Sequence, residues 1–552
     1  MAPRPMKSRL KGASPLGLIV LVEGIFAAQI RRMEQRELPR NSSIPAVAAT
    51  EPLDNYISIV HQLLGPQPLS LPVSINVPDY VSGLPNRLES GDLQYLENKG
   101  ALCLPTARFR TELLKSYILW VHPQVPILHL ESFLCTIAKN DGSNSISLLL
   151  FHAVMFAASM FVDISHIHDE GYTSRQAARD VLFQRVKTLL ELHCEDDRLS
   201  TVQALLLLIH WNDLPDAEKD TRHWMGICLS LAMSIGLHRN PDSTALTPSQ
   251  RQTWRRTWWS VYNYAQLTAH DLLAMMRIKE NCDESQLFDT TMINLDDFQF
   301  SVSSPEARAV VDYCEVICTI EYQVIQAQVF IEKTRLCQLS QFSRVSSQVS
   351  NLVHETNGPD DKVSSTNPIP HPDEAEKLQK WQLQLPSAAQ LQYPAVMTPT
   401  EWERSIYLHR TWLRLLYLGS VYAVSCDISP IDQCISEITD LFDEIHSLDL
   451  SQNLPCSSTV LLILVLTYHR RALDTGTARV QALSARTIHK CWNMIQRIGE
   501  TSELATRIIA VRDAARDSVW ERLLRLLSIG INAQDGIDQI DDKSSNSPSC
   551  SK

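Results

Sequence analysis

The side chains best able to do chemistry fall in a few short runs. Arg255, Arg256, Trp258 and Trp259 set two cations and two indoles on adjoining helical turns. Basic residues among aromatics can grip a nucleic-acid strand and stack on its bases. Trp at helical spacing, with Trp254 added, is also what a helix buries, and a core position is expected. His238 and Arg239 could hold an anion; capping a helix and pairing with acids of the bundle is the expected role. His166-x-His168-Asp169-Glu170 has metal-ligand types, but from one loop without a third anchor, so a solvated loop is expected. Cys314 and Cys318 give two ligands where a closed zinc site takes four. Asp196-Asp197 and Asp296-Asp297 lack the third acid of an Asp-Asp-x-x-Asp cluster for Mg-diphosphate. His122 and His129 flank a Pro turn and are expected to make satisfied backbone contacts. No G-x-S-x-G, Walker A or G-x-G-x-x-G run occurs. The chain is therefore expected not to be an enzyme.

The elements that must position these residues are helices. Phe109, Leu113, Tyr117, Trp120 and Val121 recur on one face, with Thr106 as N-cap and Pro123 as terminator. Pro123 and Pro126 then predict an extended connector through Ile127 and Leu128. Apolar runs predict a buried helix over 146–162, another helix over 173–194 with Val181, Val186, Leu189, Leu190 and Leu192 as its apolar residues, and a central one over 199–211 entered at Ser200 or Thr201. Over 221–235, Trp224, Cys228, Leu231, Ala232 and Ile235 make one stripe. Gly236 fits the left-handed position after that helix, with Leu237 as its apolar partner. Helices are also predicted over 249–276, 305–338, 376–384, 399–424, 430–447, 457–474, 476–498 and 501–531. No run alternates with period two, so the fold class is all-α, a large multi-helix bundle.

Composition sets the outer limits. The 552 residues are 44% hydrophobic and 20% charged, which excludes a collagen, a coiled-coil rod or a mainly disordered chain. Only 17 are Gly, against a fold of many tight turns or Gly-rich phosphate loops. Net charge is −12, so the chain as a whole is no nucleic-acid surface. Residues 1–40 hold eight Lys/Arg and three acids, a balance of +5 that leaves −17 elsewhere. That head is either a nuclear-import or phosphate-contacting segment or a solvated terminus. Its apolar run 16–28 has the outline of a secretory signal. Glu23 interrupts that run, and it falls short of the ~20 residues a membrane span needs. The 13 single Cys, with no C-x2-C, read as reduced and intracellular. The expected division is a basic segment and Pro/Ser-rich linker over 1–100 with one short helix near 53–64, a first helical part over 101–338, a disordered linker over 339–375, a second helical part over 376–533 and a disordered tail over 534–552.

Several motifs, in order, resemble the fungal-specific transcription factor domain, the middle homology region of Zn2Cys6 regulators. They are His122-Pro123 with Pro126-Ile127; Trp224 and Gly226 followed by Gly236-Leu237-His238-Arg239; Arg255-Arg256-x-Trp258-Trp259; and Asp297-Phe298. The Cys-Glu-Asp-Asp run before the Val202–Leu208 stretch resembles the subgroup of cutinase transcription factors. One departure is that 264–278 reads YAQLTAHDLLAMMRI, with Met276 and Arg277 where the family often has a Gly-Arg-Pro turn.

The resemblance implies a nuclear regulator of transcription, often of metabolic or secondary-metabolite gene clusters. The family's zinc module has six Cys ahead of this region, whereas the first Cys here is Cys103. No cofactor is expected in this chain, and zinc only with an N-terminal Zn2Cys6 module. Two readings follow: a co-regulator that reaches DNA through a DNA-binding partner, or part of a protein whose zinc module is encoded upstream. Other partners implied are a second chain, in a homo- or heterodimer, and a small-molecule effector, with no membrane. The alternative function is a small-molecule-binding or sequestering helical module without DNA binding.

Overall fold

The computed structural model describes residues 78–209, 221–267, 290–298, 304–314, 319–339, 372–393, 399–424, 428–455, 457–475 and 477–499, with Ala505 and Ile509. Within them every regular element is helical, and the β geometry is one isolated bridge between Val81 and Ile146. The expected helix near 53–64, that over 501–531 apart from Ala505 and Ile509, the apolar run 16–28, the core of the linker (340–371) and the tail lie outside the described residues.

The helices are α1 (Ser90–Asn98), α2 (Ala107–Ser116), α3 (Leu130–Lys139), α4 (Leu148–Ala158), α5 (Ile164–Asp169), α6 (Arg175–Glu191), α7 (Arg198–Leu208), α8 (Thr221–Ser234) and α9 (Pro248–Leu267). They continue with α10 (Pro305–Tyr313), α11 (Ile320–Leu339), α12 (Pro372–Leu383), α13 (Glu401–Val424), α14 (Ile428–Ser447), α15 (Ser458–Thr475) and α16 (Ala478–Gly499). No helix among them is long and apolar enough to cross a membrane.

α4 is the hub of the first half. All eleven of its residues are buried, because LLLFHAVMFAA is apolar on every side. Each large side chain buried this way contributes roughly 1.5–3 kcal/mol. α4 packs on α6 and α7, α7 on α8, and α8 on α9. α9 packs on α11, and α11 on α13, which also meets α12 and α14. α15 and α16 pair with each other and with α14.

Local signals place most boundaries. The Thr106 hydroxyl accepts the Phe109 N–H, as expected of an N-cap. After α8, Gly236 sits at φ 82°. The Leu237 N–H reaches the Ala232 carbonyl at 2.9 Å and the Gly236 N–H reaches Met233 at 3.0 Å, a Schellman ending. An added Cβ at Gly236 would meet nothing nearer than Arg239 Cδ at 3.9 Å, so backbone strain alone opposes a side chain there. Gly236→Ala is expected to lower stability by about 1–2 kcal/mol, read as a shift in urea midpoint. Gly236→Asn should recover part of it; an unshifted midpoint for the Ala variant would contradict this account of the turn.

Elsewhere the structure corrects the expectations. α7 is capped by Asp197, not Ser200 or Thr201: its carboxylate accepts the Leu199 and Ser200 N–H groups, and a negative charge suits a helix N-terminus. Val181 faces solvent, one step round α6 from the buried Leu182, Phe183 and Val186. Residues 305–338 form two helices, because Ser304 caps α10 and the Thr319 hydroxyl starts α11 by accepting the Tyr322 N–H. Residues 78–100 carry α1, held by Leu96 in the core. The predicted helix from 106 ends in a π-helical turn over Tyr117–Val121, closed by the His122 N–H on the Tyr117 carbonyl at 2.8 Å.

Candidate functional site

The segment that leaves this π-turn, residues 122–129, crosses the interior. Pro123 and Pro126 keep it out of helix, and Val125, Ile127 and Leu128 are buried. Backbone carbonyls carried inside without a ladder need donors; three helices send them to this segment, and a fourth sends them to the π-turn just before it. From α7, Gln203 donates to Ile127 O at 2.8 Å. From α9, Arg256 donates through Nε to Pro126 O at 2.9 Å and through Nη2 to Leu128 O at 3.4 Å. From α11, Lys333 Nζ donates to Gln124 O at 3.0 Å. From α13, Ser405 Oγ and His409 Nε2 both donate to Leu119 O, at 2.6 and 3.3 Å. With Nε2 so engaged, His409 Nδ1 accepts from Gln124 Nε2 at 3.4 Å.

Arg256 is the busiest of these donors. It also reaches the Asp297 carbonyl and the Thr253 hydroxyl, and its guanidinium lies 6.0 Å from the Phe298 ring centroid. Burial pulls its pKa down to about 10, partly offset by Asp297 and Tyr117, so it is charged at neutral pH. Its neighbour Arg255 takes the Asp297 carboxylate at 2.8 Å and also pairs with Asp242. Asp297 is buried, and its other oxygen accepts the Asn294 N–H at 3.0 Å. The Arg-Arg pair therefore splits its work: Arg256 holds the connector and the carbonyl of Asp297, and Arg255 holds its carboxylate.

The aromatic members are inside. Trp258 and Trp259 are fully buried, and the Trp259 indole donates to Thr291 O at 3.2 Å, so neither offers a face to a nucleic acid. His238 packs 5.9 Å from the Trp258 ring, and Trp224 meets Phe183 edge-on at 5.9 Å. Leu237 is buried, Arg239 is exposed, and a Cβ at Gly226 would meet nothing within 4 Å. Among the described residues Arg255 pairs with Asp242 and Asp297, and Arg251 lies 3.9 Å from Asp242, while Arg239 is exposed.

His122 departs from the expectation of satisfied contacts. Its half-buried ring lies 5.9 Å from that of Tyr117, and both His122 Nδ1, closed off from water, and the Tyr117 hydroxyl lack a hydrogen-bond partner. Burial, with Arg256 adding to it, pushes the His122 pKa down to about 3. His129 does find the backbone: Nδ1 accepts the Ser132 N–H at 3.2 Å and caps α3.

The other candidate clusters turn out to be braces. His166 to Glu170 is not a solvated loop, because Asp163 caps residues 164–169 into α5. Glu170 then accepts the Thr106 N–H at 2.9 Å, Asp169 pairs with Arg108 at 3.2 Å, and His166 lies 3.6 Å from Glu112. Asp196 pairs with Arg87. Cys314 is buried at the end of α10 with its thiol pushed up to about 12; Cys318 lies outside the described residues. Among the described residues no three His, Cys, Asp or Glu gather as a metal site, and eight cysteines are free thiols.

Sequence reading missed Gln124, Gln203, Lys333, Ser405 and His409. A signal existed for three of them: Gln203 inside Val202–Leu208, Lys333 inside Phe330–Leu336 and His409 inside Ile406–Leu416 are polar side chains at positions that periodicity assigns to the core. Their partners had none. Glu332 is similar, a buried carboxylate that accepts from Gln328, Arg335 and the Trp381 indole and so ties α11 to α12.

Comparison with known proteins locates this connector within a known family. The fungal specific transcription factor domain matches residues 114–391, half of the chain and all of the motif residues above. Cutinase transcription factor 1 beta of Fusarium vanettenii is 31% identical over 492 residues, covering 83% of this chain and 54% of that protein. Transcription factor cpaR of Aspergillus oryzae is 32% identical over 369 residues, 65% of this chain and 59% of that protein. An acetamidase regulatory protein of Aspergillus fumigatus is 29% identical over 379 residues, 66% and 43% of the two chains. The chain thus spans less than two thirds of the length of each. No solved structure matches. The chain belongs to the fungal specific transcription factor domain family.

Proposed function

We propose that this chain is the helical regulatory part of a nuclear transcription regulator that controls metabolic or secondary-metabolite genes. The observation that carries the reading is the family match over 114–391, which encloses the whole connector. Relatives of this region are named as regulators of cutinase and acetamidase genes. In this reading the chain catalyses nothing and needs no cofactor of its own. It reaches DNA through a zinc module or a DNA-binding partner, and pairs with a second chain through helix faces. The division into a first helical part (101–338) and a second (376–533), with 1–100 apart from the core-packed α1, 339–375 apart from the start of α12, and 534–552 as connecting or terminal segments, belongs to the same proposal. The motif residues would then serve regulation from inside, by fixing the connector on which α7, α9, α11 and α13 converge.

The test fuses the chain to a foreign DNA-binding domain upstream of a reporter gene, with a fluorescent tag to locate it. The expected result is nuclear fluorescence and a change in reporter output of several-fold. A folded fusion that leaves the reporter at the level of the foreign domain alone would contradict the proposal and favour a binding module without a role at DNA.

A further inference from the structure

Away from the connector, an open cleft of about 530 Å3 lies between α11, residues 387–393 and the first half of α13. Trp402, Tyr393 and Tyr407 supply its aromatic surface, and Glu321 and Glu403 its acids. Tyr393 is 62% exposed, an unusual position for a large ring, and lies 6.1 Å from the buried ring of Tyr407. Ile320, next to Glu321, is 61% exposed, so the region also shows water an apolar side chain.

The balance of charge in the cleft is negative. Arg410 is the basic residue of its lining, and its Nε and Nη1 already donate to Ala388 O at 2.9 Å and Gln392 Oε1 at 3.0 Å. Glu403 accepts the N–H and hydroxyl of Thr400 and keeps its charge. The field extends behind the wall. After burial, Glu444, Glu437 and Asp440 of α14 push the Tyr393 hydroxyl pKa up, and Glu444 helps to do the same at Tyr407. Arg414 neutralises part of this by pairing with Glu437 at 2.6 Å.

Aromatic faces backed by carboxylates attract cations and repel anions. We propose that this cleft binds a small amphipathic organic cation, its ammonium or guanidinium group set among Tyr393, Trp402 and Glu321 and its body against Ile325 and Ile406. The proposal goes beyond the regulatory reading and does not depend on it, since binding is measured on the purified chain with neither DNA nor a reporter present.

The experiment is calorimetric titration of the full chain with benzyltrimethylammonium chloride and, separately, with sodium benzenesulfonate, an anion of similar size. The cation is expected to bind with a Kd below ~1 mM and the anion at least about ten-fold more weakly. Tyr393→Ala and Glu321→Gln are expected each to weaken the cation about five-fold. Both positions are exposed, so the variants should melt like the parent, which circular dichroism checks. Anion binding as tight as the cation's would show that Arg410 governs the cleft and overturn the proposal. So would an absence of heat with the cation, or cation binding that neither variant changes.

Discussion

Acidification from pH 7.5 to pH 5 is expected to cost the helical core about 6 kcal/mol of stability before most of its carboxylates are protonated. The cause is three histidines with ring nitrogens kept from water: His152 and His409 are buried, and His122 is half-buried with Nδ1 closed off. Burial holds His122 and His152 down to about 3 and His409 to about 4. The charged neighbours reinforce this: Arg256 acts on His122, Arg185 on His152 and Lys333 on His409. In the unfolded chain each would titrate near 6.5. Below that pH the unfolded state binds protons that the folded state refuses, so stability is whole above about pH 6.5 and falls as the pH drops toward the folded values. Each histidine removes about 1.4 kcal/mol per pH unit, and the three together roughly 4. The roughly 1.5 units between pH 6.5 and 5 would therefore remove about 6 kcal/mol, comparable with the lower part of the 5–15 kcal/mol typical of a folded domain.

Urea titrations between pH 7.5 and 5 read this directly. A free energy of unfolding that stays flat over that range would refute it. Exposed carboxylates with lowered pKa values, such as Asp163 and Glu403, lose their contribution only at lower pH. His152→Gln keeps a donor for Ala101 O, which His152 Nε2 now contacts at 3.0 Å, and should flatten the slope by about one proton.

The largest single-residue effect is expected at Arg256. Arg256→Ala would leave the carbonyls of Pro126, Leu128 and Asp297 without their guanidinium donor in the interior. Removing one partner of a buried charged network costs about 3–5 kcal/mol. Arg256→Lys keeps the charge but replaces a planar fork by one ammonium that cannot span acceptors on both the connector and residue 297, so a loss of about 1–3 kcal/mol is expected. Arg255→Ala is a comparison on the adjacent residue: it removes the cation of the buried Asp297 carboxylate and is itself expected to destabilise, but it leaves the donors to the connector in place. Urea unfolding of the two Arg256 variants and the parent gives rising stability in the order Arg256→Ala, then Arg256→Lys, then parent. Should Arg256→Ala be insoluble, the Lys variant still decides: parental stability there would mean that the fork is not what fastens the connector.

How much of this was legible in the chain depends on the range of the cause. The Thr106 cap, the all-round apolar helix α4, the stripe of α8 and its Gly236 ending are set by neighbours within a turn or two, and all could be read from the sequence. Helix α1 was missed because its nine residues bury Leu96 alone in full, too little for a period to show. Helix α5 was missed because ligand-type residues looked solvated, when their acids brace the start of α2. The motif residues were identified by type and spacing, but their partners were not. Pro126 and Arg256 are 130 positions apart, and Leu119 and His409 are 290 apart. The acceptors are backbone carbonyls, which leave no trace in residue identity.

The sequence by itself determined an all-α chain, where its main helices lie, and which residues mark the family. Helical period, caps and prolines act locally, so composition and spacing suffice for these. Tertiary structure alone decided that the Arg-Arg-x-Trp-Trp run and the Pro connector are one assembly and that His122 and His409 are held neutral. It also decided that Tyr393, Trp402 and Glu321 share a cleft. Those facts follow from which distant groups are excluded from water together, and desolvation belongs to the packed whole and not to any stretch of chain.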